Sequence, residues 1–278
     1  TEWALGGLAL DVASVASTWN ASPALVDWCG VVSRMHIAHA QVLVAIDPFQ
    51  PDSSEPSPSN LSPTPRPDFV DLRSALAALA DAEMTAADAA EATGAPVTDA
   101  SLALLWGALA ITAQSVQAAL ESSPDGSAPG PPPVAGTGVP TRVAVGTRQA
   151  ALQVLLSHLN PLIYALEVVV ARAPDDRTSS ERLLTLQLDR EAAAAAMRAE
   201  GLMPSAPAAD YQLPGDLHDP SQVPGTLGRL ELNLQAAWAR VAATSSGADR
   251  VSGWQAMTAC AAGMRTGGVP PLYWPGWV

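Results

Sequence analysis

The sequence predicts an all-α protein built as two tandem four-helix bundles, and three observations lead there. Ala and Leu dominate while aromatic residues make up only 5% of 278 residues, a balance that favours helix over sheet. Apolar residues recur at alternating steps of three and four, the stripe of a helix buried along one side. Two stretches rich in Pro, Gly and Ser, 47–68 and 123–146, interrupt that pattern, and the second divides the chain into units 1–122 and 147–278. Each half is long enough to bury a core of its own.

The first unit opens with a helical hairpin. Leu5, Leu8, Val12, Val15 and Trp19 mark a helix over 3–19, which the Ala-Ser-Pro at 21–23 breaks. A second helix over 23–46 places Leu25, Trp28, Val32, Met35, His39, Val42 and Ile46 on one seam. His39 therefore points inward, and His36 lies one turn earlier beside it, an HxxH pair. The segment 47–68 cannot form a core and reads as an extended, solvated crossover. A third helix over 69–93 carries Leu72, Leu76, Leu79, Glu83, Ala86 and Ala90 on its seam, with Gly94 as a stop signal. A fourth over 99–121 turns Leu102, Leu105, Leu109, Thr112 and Val116 inward.

The second unit begins with the longest periodic run, 147–173, whose stripe is Leu152, Leu155, Leu159, Leu162, Leu166 and Val169. Thr147 is placed to cap it, and Pro161 predicts a kink because proline lacks a backbone donor and clashes with the preceding turn. Its partner over 178–200 opens on Thr178-Ser179-Ser180-Glu181, the pattern of a capping box, and ends at Gly201. A Pro-rich loop leads to a third helix through Leu227, Leu230, Leu234, Trp238 and Val241, and 249–265 supplies the fourth. The unit closes on PPLYWPGWV, where Tyr273, Trp274 and Trp277 read first as a strap packed over the bundle and second as a docking surface for a protein partner.

A formal net charge of −13 and a pI near 4.5 argue against a nucleic-acid or anionic-membrane surface, since phosphate binding needs clustered cations. Lysine is absent, which reads as the mark of a GC-rich genome rather than as chemistry. No stretch reaches about 18 uninterrupted apolar residues, so no membrane span is expected within the chain. A start at Thr1 without an initiator Met, and without a signal peptide, reads as a processed or trimmed product with room for an anchor in a preceding region. Cys29 and Cys260 belong to no metal-binding spacing and read as two buried thiols or, more sharply, as a disulfide joining the halves.

Three stretches, LQVLLSHLNPLIYALEVVVAR at 152–172, GRLELNLQAAWARV at 228–241 and YWPGW at 273–277, resemble the actinobacterial ferritin-like domain family of unknown function. SPALVDWCGVVSRMHIAHAQVL and DLRSALAALADAEMTAADAAEA are similar to the helical segment that often precedes that domain. The resemblance implies two tandem ferritin-like bundles. Ferritin-like folds with di-metal chemistry use a Glu from each of two helices and a Glu-x-x-His from each of the other two, so that carboxylate and imidazole share a face. Neither half contains Glu-x-x-His. Where family members often show Glu-His this chain reads Leu159-Asn160, and Glu231 matches a family Glu with no His on its seam. The resemblance thus implies the scaffold without its metal centre in the second unit.

In the first unit His39 and Glu83 both fall on inward seams, where a hydrogen-bonded His–Glu pair is the plain reading. The sharper one is a mononuclear metal site of His36, His39 and Glu83, taking iron or manganese. Asp189-Arg190-Glu191 reads most simply as a solvated face with local ion pairs, the alternative being that Arg190 reaches Glu231 inside the bundle, while His158 and His218 stand alone. Phosphate loops, nucleophile elbows and Cys/His dyads are absent. The expected role is a non-catalytic structural or accessory subunit, extracytoplasmic or in the cell envelope, without cofactor and bound to a protein partner there. The alternatives are a metal-binding oxidoreductase or storage protein, a small-molecule or lipid carrier opening at Pro161, and a cytoplasmic location.

Overall fold

Helices α2 to α6, as numbered below, start where a side-chain oxygen takes a free amide of the first turn. The computed structural model describes residues 1–19, 21–50, 68–123, 127–136, 139–144 and 146–277, and among them all regular structure is helical. The helices are α1 (Glu2–Thr18), α2 (Pro23–Val44), α3 (Leu72–Gly94), α4 (Ala100–Glu121), α5 (Arg148–Arg172), α6 (Arg177–Ala199), α7 (Val223–Ala243) and α8 (Gly247–Thr266). They fall into two compact units, Thr1–Val143 with Pro270–Val278, and Ala144–Val269.

In the first unit Ser22 caps α2 by accepting from the Leu25 amide at 3.2 Å, with Pro23 pre-set for the first helical position. Asp71 and Ser74 form a reciprocal capping box on α3, and Asp99 accepts from the Leu102 amide at 2.9 Å to start α4. The helix pairs are α1 with α2, α3 with α4, and α1 with α3. Val12, Leu25, Val32, Leu79 and Val116 meet in one core drawn from all four helices. A second cluster gathers Val42, Phe49, Ala90, Leu105 and Leu109 around Trp274.

That last residue marks a difference from expectation. The C-terminal segment belongs to the first unit rather than closing the second. It pairs with the stretch read as a linker: the Val134 amide donates to the Pro271 carbonyl at 2.9 Å and the Tyr273 amide to the Val134 carbonyl at 2.8 Å. The Val143 amide reaches Ser101 Oγ at 3.0 Å, and Pro129, Pro133 and Pro140 are buried, so the described part of 127–143 is laid down on the first unit. Its Gly/Pro composition signals irregular backbone, which docks as readily as it dangles. The core of the crossover, 51–67, and residues 124–126, 137–138 and 145 of the linker lie outside the described residues.

In the second unit the predicted stripe Leu152, Leu155, Leu159, Leu162 and Leu166 is buried against Leu186, Met197, Leu230, Leu234 and Val241. Thr147 caps α5 as expected, accepting from the Ala150 amide at 3.2 Å. The helix runs on through Pro161, and the side-chain oxygen of Asn160 beside it is buried without a hydrogen bond. The cap of α6 is Asp176 rather than Thr178: its carboxylate accepts from the Ser179 amide at 3.1 Å and from Ser179 Oγ at 2.7 Å, a stronger acceptor two residues earlier. Cys29 and Cys260 are free thiols, each buried in the core of its own unit. By length and composition α4 and α5 could each cross a membrane, and both turn their leucines into bundle cores.

Asp176→Ala is expected to lower stability by about 1 kcal/mol, the usual worth of an N-cap, whereas Thr178→Ala changes it by a few tenths at most. Urea unfolding followed by circular dichroism separates the two.

Candidate metal centre

Every helix of the first unit sends a polar group to one level of the bundle. Glu2 stands in the first turn of α1, His36 and His39 one turn apart on α2, Glu83 in the middle of α3 and Thr112 on α4. The backbone of α1 comes close here because Gly6 has no side chain: a Cβ at that position would meet the Ser33 carbonyl at 3.3 Å and the His36 Cβ at 3.5 Å. The two histidines are 1% exposed, Glu83 is fully buried and the Glu2 side chain is 11% exposed.

The partners of the imidazoles define the site. His36 Nδ1 lies 2.6 Å from Glu2 Oε2 and its Nε2 lies 2.7 Å from Glu83 Oε1. His39 Nδ1 lies 3.3 Å from the same Glu2 oxygen, and its Nε2 lies 2.8 Å from the Tyr273 carbonyl. A carbonyl only accepts, so His39 Nε2 carries its hydrogen. Both Nδ1 atoms therefore face one carboxylate oxygen, while both Nε2 atoms are turned to acceptors behind them. Thr112 Oγ1 donates to the Ala108 carbonyl at 2.7 Å and lies 3.4 Å from the Tyr273 carbonyl.

Burial alone would disfavour the charged imidazole of His36, but the charge of Glu83 and the hydrogen bonds to Glu2 and Glu83 outweigh it, raising the group to about 10. Burial likewise works to raise Glu2, and the hydrogen bonds from His36 and His39 more than reverse this, bringing it to about 2. For Glu83 burial wins over the attraction of His36 and its carboxyl is raised, consistent with Oε2 being buried without a hydrogen-bond partner. At neutral pH the site is thus a cationic imidazole held between two carboxyl groups.

Glu2, His36 and His39 each offer one ligand atom, and these atoms lie within 4.8 Å of one another. Among the described residues theirs is the one group of three or more His, Cys, Asp or Glu donors so close together. Donors on a common ion at about 2.1 Å stand roughly 3.0–3.4 Å apart. The 3.3 Å between His39 Nδ1 and Glu2 meets that, and the 2.6 Å between His36 Nδ1 and Glu2 has to open by roughly half an ångström as the shared proton leaves. Of the expected triad His36, His39 and Glu83, Glu83 lies behind His36 on its far nitrogen, and the carboxylate grouped with both imidazoles is that of Glu2. The His39–Glu83 pair is corrected too, since the imidazole that Glu83 bonds is His36.

The aromatic C-terminus, read first as a strap and second as a docking surface, is packed as a strap. Trp274 is 3% exposed and lies in the first unit's core, and Tyr273 and Trp277 pack against the same cluster. In the second unit Glu231 is held by Arg182, not Arg190: Arg182 Nε and Nη2 donate to its two oxygens at 2.8 and 2.7 Å. Arg182 Nη2 also faces Cys260 Sγ at 3.6 Å, and burial first, then Glu231, raises that thiol well above its ordinary value. A Cβ at Gly263 would stand 2.7 Å from the Glu231 carboxylate, so α8 supplies the room for this pair. A guanidinium on both oxygens of Glu231 leaves no ligand set, and the residues of this centre do not fit the di-metal site of a ferritin-like bundle. Arg190 pairs with Glu191 instead, and His218 is exposed against Arg172.

Residues 151–268 match the profile of a domain of unknown function, DUF4439. The match covers much of the stretch in which the family resemblance was read, and it falls within the second unit. Searches against curated proteins and against solved structures return no match.

Two outcomes are expected. In chelator-treated protein, His36, raised to about 10 from 6.5, contributes stability that is complete below pH 6.5 and lost as the pH climbs towards 10. The raised Glu83 carboxyl loses stability in the same direction, upward from 4.5. Urea midpoints read by tryptophan fluorescence, dominated by Trp3, Trp19, Trp28, Trp106, Trp274 and Trp277 of the first unit, therefore fall between pH 6.5 and 10, and His36→Gln flattens that slope. In the second unit Arg182→Met costs about 3 kcal/mol by leaving Glu231 unpaired, and adding Glu231→Leu restores most of it. A double variant no more stable than Arg182→Met in urea would refute the pairing argument.

Proposed function

We propose that this chain is a metal-binding protein whose first unit holds one divalent transition-metal ion on Glu2, His36 and His39. The observation that carries the reading is the orientation of the two imidazoles. Each turns Nδ1 to the same carboxylate oxygen and anchors Nε2 on an acceptor behind it, Glu83 for His36 and the Tyr273 carbonyl for His39. Metal-ligating histidines need that rear acceptor, because it fixes the tautomer and the ring. Two imidazoles and one carboxylate suit iron, manganese, cobalt or zinc better than magnesium or calcium, which prefer all-oxygen shells. The burial of all three donors favours retention of an ion over turnover of a bulky substrate.

The second unit is read as a structural module, since its central carboxylate is committed to Arg182. With the Pro- and Ser-rich stretches at 47–68 and 123–146, this supports placing the protein among actinobacterial envelope proteins of the tandem ferritin-like kind, as an accessory subunit that carries a metal to or within a partner complex.

Titration of the full chain with Co(II), followed by absorption, is expected to reach one equivalent. His39→Ala and Glu2→Ala abolish the signal, Glu83→Gln weakens binding by about 10–100-fold, and Arg182→Met leaves it unchanged. Binding that survives both His36→Ala and His39→Ala would overturn the assignment.

A further inference from the structure

The rear acceptor of His36 is built into a helix, but that of His39 is not. It is the main-chain carbonyl of Tyr273, in an irregular segment reached only after the whole of the second unit. That segment is nevertheless prepared for one docked position. Trp274, Pro275, Gly276 and Trp277 form a tight turn in which the Trp277 amide donates to the Trp274 carbonyl at 3.1 Å. Gly276 has a φ of 96°, which glycine alone adopts freely, and Pro275 pre-sets the position before it, the pattern of a type II turn. The turn holds two indoles in place. The Trp274 ring lies 4.5 Å from the His39 ring, tilted by 55°, and is buried with Val42, Phe49 and Leu105, while Trp277 Nε1 donates to the Thr141 carbonyl at 2.9 Å. Upstream, the paired amides of Val134 and Tyr273 fix the register that brings the Tyr273 carbonyl to His39.

We propose that residues 270–277 are the latch of the metal centre: docked, they hold His39 with Nδ1 free for the ion, and the ion in turn holds them docked. The proposal rests on the metal-binding reading above. With the strap away, His39 Nε2 loses its acceptor and the ring loses the indole that packs on it, so Nδ1 is no longer aimed at Glu2. Linkage then requires that docking strengthens metal binding by the same factor by which metal strengthens docking. Released, the strap exposes Trp274 and Trp277 at the moment the ion leaves, so occupancy of the site is reported on the surface.

The test uses the full chain and Co(II) alone, with affinity read by absorption and strap docking by amide hydrogen exchange in peptides covering 270–277. In the unsubstituted chain Co(II) is expected to slow exchange in those peptides and not in α6. Trp274→Ala is expected to weaken Co(II) binding by about 10–100-fold, the loss typical when a group behind a ligand is removed. Trp277→Phe, which keeps an aromatic ring but loses the bond to Thr141 and part of the indole's packing, weakens it in the same direction by less and guards against a folding defect, with helix content checked by circular dichroism. If the unsubstituted chain takes up no Co(II), the metal reading falls and the latch with it. If it binds Co(II) but exchange over 270–277 is the same with and without the ion, or the two variants exchange freely there and bind as tightly as before, the latch is overturned and the metal site stands.

Discussion

A histidine buried in a helical core must find a partner for each ring nitrogen, and the first unit is arranged around meeting that need twice within one turn of α2. Three groups meet the four ring nitrogens: Glu2 faces both Nδ1 atoms, and Glu83 and the Tyr273 carbonyl face the two Nε2 atoms. The rest follows from bringing those groups together. Gly6 lets α1 close on α2 so that Glu2 arrives, α3 delivers Glu83 from its seam, and the C-terminal segment, which follows the second unit in the chain, brings a carbonyl.

The two units solve the problem of a buried carboxylate in different ways. In the second, the positive charge beside Glu231 is a guanidinium tethered to the chain and bonded to both oxygens, so the centre is closed and permanent. In the first, the positive charge beside Glu2 is a proton on an imidazole, which is exchangeable. The same pairing of charges is a fixed brace in one unit and a titratable one in the other.

Much of this was legible in the sequence. The three-and-four stripes located the helices to within a few residues, Thr147 capped where expected, and His39 and Glu83 were rightly turned inward from their seams. Glu2 was missed because an acidic residue in a first turn reads as a partner for the helix dipole. Yet the hairpin carried the signal: Glu2 and His39 are equally far along the chain from the turn at 19–22, which sets them opposite each other. Arg182 and Arg190 lie about two turns apart on one helix face, so spacing alone could not say which meets Glu231. The destination of the Trp-Pro-Gly-Trp element was not readable at all. Its turn is local, but the partners that dock it, Val134, Thr141 and the cluster around Leu105, are distant in sequence.

The chain path has one more consequence. The first unit is interrupted by the second, since Thr1–Val143 is completed only by Pro270–Val278. On the ribosome its four helices emerge first, but the indole that fills one of its cores and the carbonyl that orients His39 are translated only after α5 to α8. Domains ordinarily fold in the order in which they are made. Here the first unit to be synthesised is the last to be finished, and its histidine site stays incomplete until translation has passed through its neighbour.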